Sequence, residues 1–116
     1  MRRLLVVGAH GGGIGTGVLR RLEEGPISHE ILAPTPSELN LWYPAQVRDY
    51  VRANGPFEKI IFSGGVSQLA WIKDLRPHEF EWVMQINTAS LIQLMAAHEE
   101  AFPDTGGRLV VVVSDA

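Results

Sequence analysis

Five glycines lie among the eight residues from position 8 to position 15, directly after a short apolar run at Leu4–Val7. Glycine accepts positive φ angles and lets a backbone approach a ligand closely. The apolar spacing of the next segment, Ile14–Glu24, predicts a helix, and a helix start favours phosphate through its free N–H groups and its dipole. The chemistry that this pattern predicts is the binding of a nucleotide pyrophosphate. The predicted contact residues are Gly8, His10, Gly11, Gly12, Gly13, Ile14 and Gly15.

The spacing of these glycines differs from the G-x-G-x-x-G dinucleotide fingerprint, because no three of them stand at positions i, i+2 and i+5. A tight strand-to-helix turn that holds no ligand is therefore the alternative. The place of the loop favours a ligand, because it follows the first strand of an alternating pattern, where doubly wound sheets bind dinucleotides. His10 either touches a phosphate or is a solvated loop side chain.

The rest of the chain alternates short apolar runs with segments of helical spacing. This alternation predicts a parallel sheet with helices on both faces. We expect a minimal Rossmann-like, three-layer α/β sandwich of about five strands in the order 3-2-1-4-5, forming one domain over residues 1–116. The predicted strands are Leu4–Val7, Glu30–Ala33, Glu38–Leu41, Lys59–Ser63 and Arg108–Ser114. The predicted helices are Ile14–Glu24, Pro44–Ala53 and Pro77–Phe102.

The composition excludes several classes of function. The net charge is −3 and no Lys/Arg cluster exceeds a pair, so we expect no general nucleic-acid or anionic-membrane surface. No apolar run approaches the roughly 20 residues of a membrane helix. The chain has no cysteine, which fits a cytoplasmic location and excludes a thiolate metal site. Its four histidines are scattered and have no metal-ligand spacing.

Four segments resemble the short-chain dehydrogenase/reductase family in order and spacing. Segment 8–15, GAHGGGIG, resembles its Thr-Gly-x-x-x-Gly-x-Gly loop, although Val7 replaces the threonine and the gap from Gly8 to Gly13 is one residue longer. Segment 60–66, IIFSGGV, is similar to the strand that ends in Asn-Asn-Ala-Gly, with Gly65 as its last glycine. Segments 75–87 and 107–114 are similar to those that carry the family's catalytic Asn and Ser.

This resemblance implies catalytic positions at Asn87 and Ser114. In the family, a Tyr-x-x-x-Lys pair follows the serine by about a dozen residues, and we expect this chain to be cut short before that pair. Without it, Asn87 is either the remnant of a proton relay or a structural side chain that bonds a neighbouring strand. Ser114 is either the remnant catalytic serine or an ordinary terminal serine. Tyr43 and Tyr50 are poor substitutes, because no lysine stands four residues after either.

The resemblance also implies NAD or NADP as the cofactor, although the site can equally be empty. Gly64 and Gly65 are expected beside it. Thr35 follows the second strand, where an acid would bind the ribose hydroxyls of NAD, and no acid, Arg or Lys stands in segment 33–36. Neither cofactor is therefore favoured, and a proline-stiffened loop is the alternative. Asn40 occupies the place of an adenine-contacting Asp, or else it caps a turn.

These observations lead to three hypotheses of function. The first is a non-catalytic nucleotide-binding or protein-interaction module. The second is an NAD(P)-dependent oxidoreductase whose Tyr and Lys come from another chain. The third is a pure assembly or host-interaction protein with an empty nucleotide site. Because residues 108–114 form an apolar edge strand, we also expect a homodimer, or a partner chain, that buries this strand, the long helix over residues 77–102, or both.

Overall fold

The computed structural model describes residues 2–26, 29–65 and 72–112. Its sheet has four parallel strands: β1 (Arg2–Val7), β2 (His29–Leu32), β3 (Lys59–Phe62) and β4 (Arg108–Val111). They lie side by side in the order β2-β1-β3-β4. This confirms the predicted parallel α/β fold and corrects the expected count of about five strands. With the third predicted strand left out, the expected order 3-2-1-4-5 becomes 2-1-4-5, which is the observed order.

Segment 38–41 was expected to be that third strand, and this prediction is wrong. The segment forms a turn, in which the carbonyl oxygen of Thr35 accepts the backbone N–H groups of Glu38 and Leu39 at 3.0 and 2.9 Å. Its alternation of polar and apolar residues arises because Leu39 is buried in the core while Glu38 faces solvent. A turn can therefore produce the same short pattern as a half-buried strand.

The helices are α1 (Gly13–Glu24), α2 (Pro44–Asn54), α3 (Pro77–Met84) and α4 (Ser90–Ala101), and a 3₁₀ turn spans Ile72–Asp74. A π-helical turn, Gln85–Ala89, joins α3 to α4. The single helix expected over residues 77–102 is therefore interrupted in its middle. None of the helices in the described ranges has both the length and the apolar character needed to cross a bilayer.

The two faces of the sheet carry separate apolar clusters, because side chains alternate along each strand. On one face, Leu4, Val6 and Ile61 pack against Val18 and Leu19 of α1. The other face packs against α2 and α4. The buried residues of that second cluster include Leu5, Val7, Ile60, Phe62, Val47, Val51, Leu94 and Ala97. The fold is thus three layers, with the carboxyl ends of β1, β2 and β3 meeting at one edge.

Candidate functional site

A cavity of about 310 Å³ lies at the carboxyl ends of β1, β2 and β3. Open α/β sheets place their ligands at this edge. The glycine loop forms one wall, the segment after β2 forms a second, and the segment after β3 forms a third. Its lining residues are Val7, Gly8, Ala9, His10, Gly11, Gly12, Pro34, Pro36, Leu39, Asn40, Leu41, Ser63, Gly64, Gly65 and Ile86.

The glycine loop adopts a backbone that only glycine accommodates readily. The φ angles of Gly8, Gly12 and Gly13 are +87°, +79° and +74°. A Cβ atom at Gly12 or Gly13 would meet nothing within 4 Å, so the requirement for glycine at these two positions is conformational. Gly12 is the N-cap of α1 and Gly13 its first residue. The loop therefore turns directly into the helix start, whose first N–H groups have no partner within the helix.

Close packing holds the loop against β3. A Cβ atom at Gly8 would lie 2.4 Å from the carbonyl oxygen of Ser63, and one at Gly15 would lie 3.1 Å from the Ser63 hydroxyl. The backbone N–H of Ser63 also donates to the carbonyl oxygen of Val7 at 2.8 Å. Ser63 thus lies where β1, β3 and the start of α1 converge, and it also lines the cavity.

Two side chains fix the loop by hydrogen bonds. The Nε2 atom of His10 lies 2.6 Å from the carbonyl oxygen of Ala33, just beyond the end of β2, so this nitrogen is the donor. The hydroxyl of Thr16, in the first turn of α1, donates to the carbonyl oxygen of Ala9 at 2.7 Å. His10 is exposed, but its hydrogen bond to Ala33 connects two walls of the cavity, so it is not a free loop side chain.

Thr35 starts a capped turn and does not line the cavity. Its backbone N–H and its hydroxyl both donate to a carboxylate oxygen of Glu38, at 3.0 and 2.9 Å. These bonds, the backbone one above all, together with nearby His10, lower the pKa of Glu38 below its ordinary value. The sequence Thr-x-x-Glu is the signature of such a cap. Contact of Thr35 with a cofactor stays a prediction.

Asn40 lines the cavity and also shapes its wall. Its side-chain oxygen accepts the backbone N–H of Trp42 at 3.0 Å, and its own backbone N–H donates to Gln46 at 3.3 Å. The bond to Trp42 assigns the amide oxygen to the turn. The amide NH₂ group of Asn40 is therefore its remaining donor for a ligand. Both sequence interpretations of Asn40, a turn cap and a base contact, are compatible with this geometry.

The π-helical turn brings Asn87 to the segment after β3. A Cβ atom at Gly65 would lie 3.3 Å from the side-chain oxygen of Asn87. Gln85, in the same turn, donates to the carbonyl oxygen of Leu41 at 2.9 Å and so connects this turn to the wall after β2. Turns of this type are frequent at functional sites. Ser114, the other residue that the resemblance marked as catalytic, lies outside the described residues.

The cavity combines glycine backbone with apolar side chains. Glycine backbone stands at one end, including Gly12, the N-cap of α1, and Pro34, Leu39 and Ile86 form apolar walls; no carboxylate is among the described lining residues. No acidic residue stands in the first turn of α1, so the positive end of its dipole is not neutralised there. Gly13, Ile14 and Gly15 begin the helix beside the cavity but are not among its lining residues.

The described residues place the side chains of His10 and Ser63 at this cavity but no tyrosine. Tyr43 is half exposed just before α2, and Tyr50 packs against the core. Burial raises the pKa of Tyr50 above its ordinary value, so that phenol stays protonated. Neither tyrosine lines the cavity. In the part of the chain that the structure describes, no group of His, Asp or Glu residues could hold a metal ion.

The sequence does not identify several of the non-glycine residues that line the cavity. Ser63 is predicted as a strand residue, and no pattern indicates Pro34, Leu39, Leu41 or Ile86 as contacts, although all five line the cavity. For Ser63 the signal was present, since it directly precedes the glycine pair after a buried strand. Nothing in the local pattern of Ile86 indicated the site, because its position depends on how α3 and the π-helical turn cross the sheet.

Comparison with known proteins identifies the fold. No family model matches the chain, and no curated protein matches it in sequence. Among solved structures, a short-chain dehydrogenase/reductase from Saccharomyces cerevisiae is similar with a TM-score of 0.79 and 15% identity, over 99% of this chain and 54% of that one. A short-chain dehydrogenase family protein from Francisella tularensis has a TM-score of 0.76 and 21% identity, over 99% and 52%.

A third similar structure is a small-chain dehydrogenase in complex with NADPH, with a TM-score of 0.77 and 16% identity, over 95% of this chain and 49% of that one. The chain thus spans about half the length of the solved structures it matches. At these identities the likeness concerns the fold, and it agrees with the resemblance carried by the four sequence segments. The chain has the fold of the short-chain dehydrogenases/reductases over about half of their length.

Proposed function

We propose that this chain binds a nicotinamide dinucleotide, NAD or NADP, in the cavity at the carboxyl ends of β1, β2 and β3. The observation that carries the proposal is the glycine loop, whose positive φ angles at Gly12 and Gly13 lead directly into the free N–H groups at the start of α1. This is the arrangement that receives a pyrophosphate in doubly wound sheets. The similar small-chain dehydrogenase in complex with NADPH supports it.

The residues of the chain suggest how the dinucleotide would be held. The backbone of Gly11 and Gly12 and the start of α1 would bind the pyrophosphate. The NH₂ group of Asn40 would donate a hydrogen bond to an acceptor atom of a nucleotide base. The apolar wall beside Asn40 would exclude water. Bound dinucleotide would supply a hydride donor or acceptor. Neither an acidic nor a basic side chain lines the wall after β2, so we expect NADH and NADPH to bind with similar affinity.

We propose a nucleotide-binding or protein-interaction module as the role of this chain. The described residues supply Asn87 beside Gly65 but no tyrosine at the cavity. Hydride transfer to a carbonyl needs a proton donor. The alternative is an NAD(P)-dependent oxidoreductase whose Tyr and Lys come from another chain. Adding a candidate chain and following NADPH absorbance with carbonyl substrates tests this alternative, because turnover that requires both chains would establish it.

Isothermal titration calorimetry with NADH and with NADPH tests the binding proposal. We expect saturable binding of both and its loss in Gly13→Val. Gly17→Val is the matched control, because a side chain at either glycine meets nothing within 4 Å and only Gly13 has a positive φ. A folded wild type that binds neither nucleotide, or a Gly13→Val variant that binds as well as Gly17→Val, would overturn the proposal. Absence of binding would favour a pure assembly protein with an empty site.

We also propose that the chain forms a homodimer through the edge strand β4 and the neighbouring α4. Leu109 and Val110 of β4 are 38% and 48% exposed, and Ile92 of α4 is 63% exposed. Within the described residues β4 is the last strand of the sheet, so one side of it has unpaired backbone groups. Strands of this kind associate readily unless they are covered. A second copy of the chain would cover β4 by continuing the sheet.

A further inference from the structure

A cluster of basic side chains lies at the amino ends of the strands, opposite the dinucleotide cavity. The strand register pairs Arg2 with His29 across β1 and β2, and Lys59 with Arg108 across β3 and β4. A cavity of about 430 Å³ opens beside them. It is lined by His29, Glu58, Lys59, Gly106, Gly107 and Arg108.

The single carboxylate in this cavity is already neutralised. One oxygen of Glu58 accepts Arg2 at 3.2 Å, and its other oxygen lies 3.2 Å from Nε2 of His29. Beside it, Arg3 bonds the carboxylate of Glu30 at 3.1 Å and also the carbonyl oxygen of Asn54. Among the described residues, Glu58 and Glu30 therefore each have a cationic or imidazole partner.

Lys59 and Arg108 have no such partner. Among the residues that the structure describes, neither side chain takes part in an ion pair. They are register partners on adjacent parallel strands, so their side chains leave the same face of the sheet. That face is the one covered by α1, because Ile61, two residues after Lys59, packs in the cluster that includes α1 side chains. Like charges directly opposite each other on neighbouring strands are destabilising.

We propose that this cavity is an oxyanion site, which takes a phosphate group between the Lys59 ammonium and the Arg108 guanidinium. A guanidinium offers paired donors that match phosphate oxygens, and an ammonium adds a compact charge. Gly106, which also lines the cavity, leaves room for a tetrahedral anion, because a Cβ atom there would meet nothing within 4 Å. The ligand is free phosphate or the phosphate group of a small metabolite. This site is independent of the proposed dinucleotide cavity.

Titration with inorganic phosphate at pH 7.5 and constant ionic strength tests the proposal. The backbone amide signals of Gly106 and Gly107 in ¹H–¹⁵N spectra should shift with a saturable, millimolar midpoint. The melting temperature should rise more than with equivalent chloride. Both effects should disappear in a Lys59→Gln/Arg108→Gln double variant and persist in an Arg48→Gln/Lys73→Gln double variant, which loses the same charge at exposed positions elsewhere.

The unliganded protein gives a second, independent reading. At low salt without phosphate, the Lys59→Gln/Arg108→Gln variant should melt higher than the wild type, because the like-charge pair is gone. With phosphate the order should reverse. Phosphate that shifts Gly11 and Gly12 instead of Gly106 and Gly107, or a response equal in both double variants, would overturn the proposal. Glucose 6-phosphate added at fixed free phosphate distinguishes a metabolite phosphate from the free ion.

Discussion

Helix α1 begins in direct contact with the end of β1, since a Cβ atom at Gly15 would lie 2.2 Å from the carbonyl oxygen of Gly8. The carbonyl group of Gly8 is part of the backbone, so no side-chain rotation can relieve this contact. The contact sets the distance between the strand end and the helix start, and thereby the width of the loop that we propose holds the pyrophosphate.

Gly15→Ala should therefore destabilise the protein. The inserted methyl group must displace backbone, and such overpacking costs about 1–3 kcal/mol. Gly17→Ala, two residues later in the same helix, meets nothing within 4 Å and should stabilise the protein by about 0.5–1 kcal/mol through helix propensity. Urea denaturation of both variants measures the difference. Equal free energies of unfolding would contradict the contact between Gly15 and Gly8.

Stability should fall in mild acid because of His98. Its Nε2 atom accepts the backbone N–H of Phe57 at 2.9 Å, and its ring lies against Phe57 and Phe102. Burial lowers the pKa of His98 below its ordinary 6.5. Below pH 6.5 the unfolded chain binds the proton more readily, so the free energy of unfolding decreases as the pH falls from 6.5 towards the native pKa. Denaturant titrations at a series of pH values measure this slope.

The His98→Gln variant isolates the contribution of this side chain. It should lose that part of the pH dependence. If the introduced amide does not accept the Phe57 N–H, the variant should be less stable than the wild type at pH 8 by about 1–3 kcal/mol, which is the cost of leaving a buried donor unsatisfied. His78→Gln is the control, because His78 is exposed on α3. An unchanged acid slope in His98→Gln would show that another group is responsible.

His10→Ala should weaken dinucleotide binding more than folding. The substitution removes the 2.6 Å bond to the carbonyl oxygen of Ala33, which joins the glycine loop to the end of β2. A net hydrogen bond of this kind contributes about 0.5–1.5 kcal/mol. Because binding must then restore the loop conformation, that cost corresponds to a roughly two- to tenfold loss of affinity. Calorimetry with NADPH and urea denaturation measure the two effects. His78→Ala should change neither, and unaltered affinity in His10→Ala would mean that the tie does not shape the cavity.

Charge placed on the exposed apolar face should break the proposed homodimer. We expect Ile92→Glu and Val110→Lys to produce monomers, because each buries a charge at the interface, and Val110→Lys also blocks strand pairing. Tyr43→Glu, at a side chain that is 49% exposed before α2, should leave the dimer intact. Light scattering coupled to gel filtration gives the mass. A wild-type protein that is monomeric at micromolar concentration would contradict the proposed homodimer.

Local pattern was enough to predict much of the fold. The strands at Leu4–Val7 and Lys59–Ser63 are short, apolar and buried, and both are present with bounds that differ by one or two residues. The glycine loop was recognised because its composition is unusual in itself. Segment 38–41 shows the limit, since four alternating residues cannot distinguish a strand from a turn with one buried leucine.

Local sequence is enough to predict the alternation of strands and helices and the place of the glycine loop, because both follow from the preferences of neighbouring residues. Which distant groups meet depends on the packing of the whole fold. The bond of His10 to Ala33, the approach of Asn87 to Gly65 and the pairing of Lys59 with Arg108 join residues that are 22 or more positions apart. Such contacts depend on strand register and on how each helix crosses the sheet, and no local pattern encodes either.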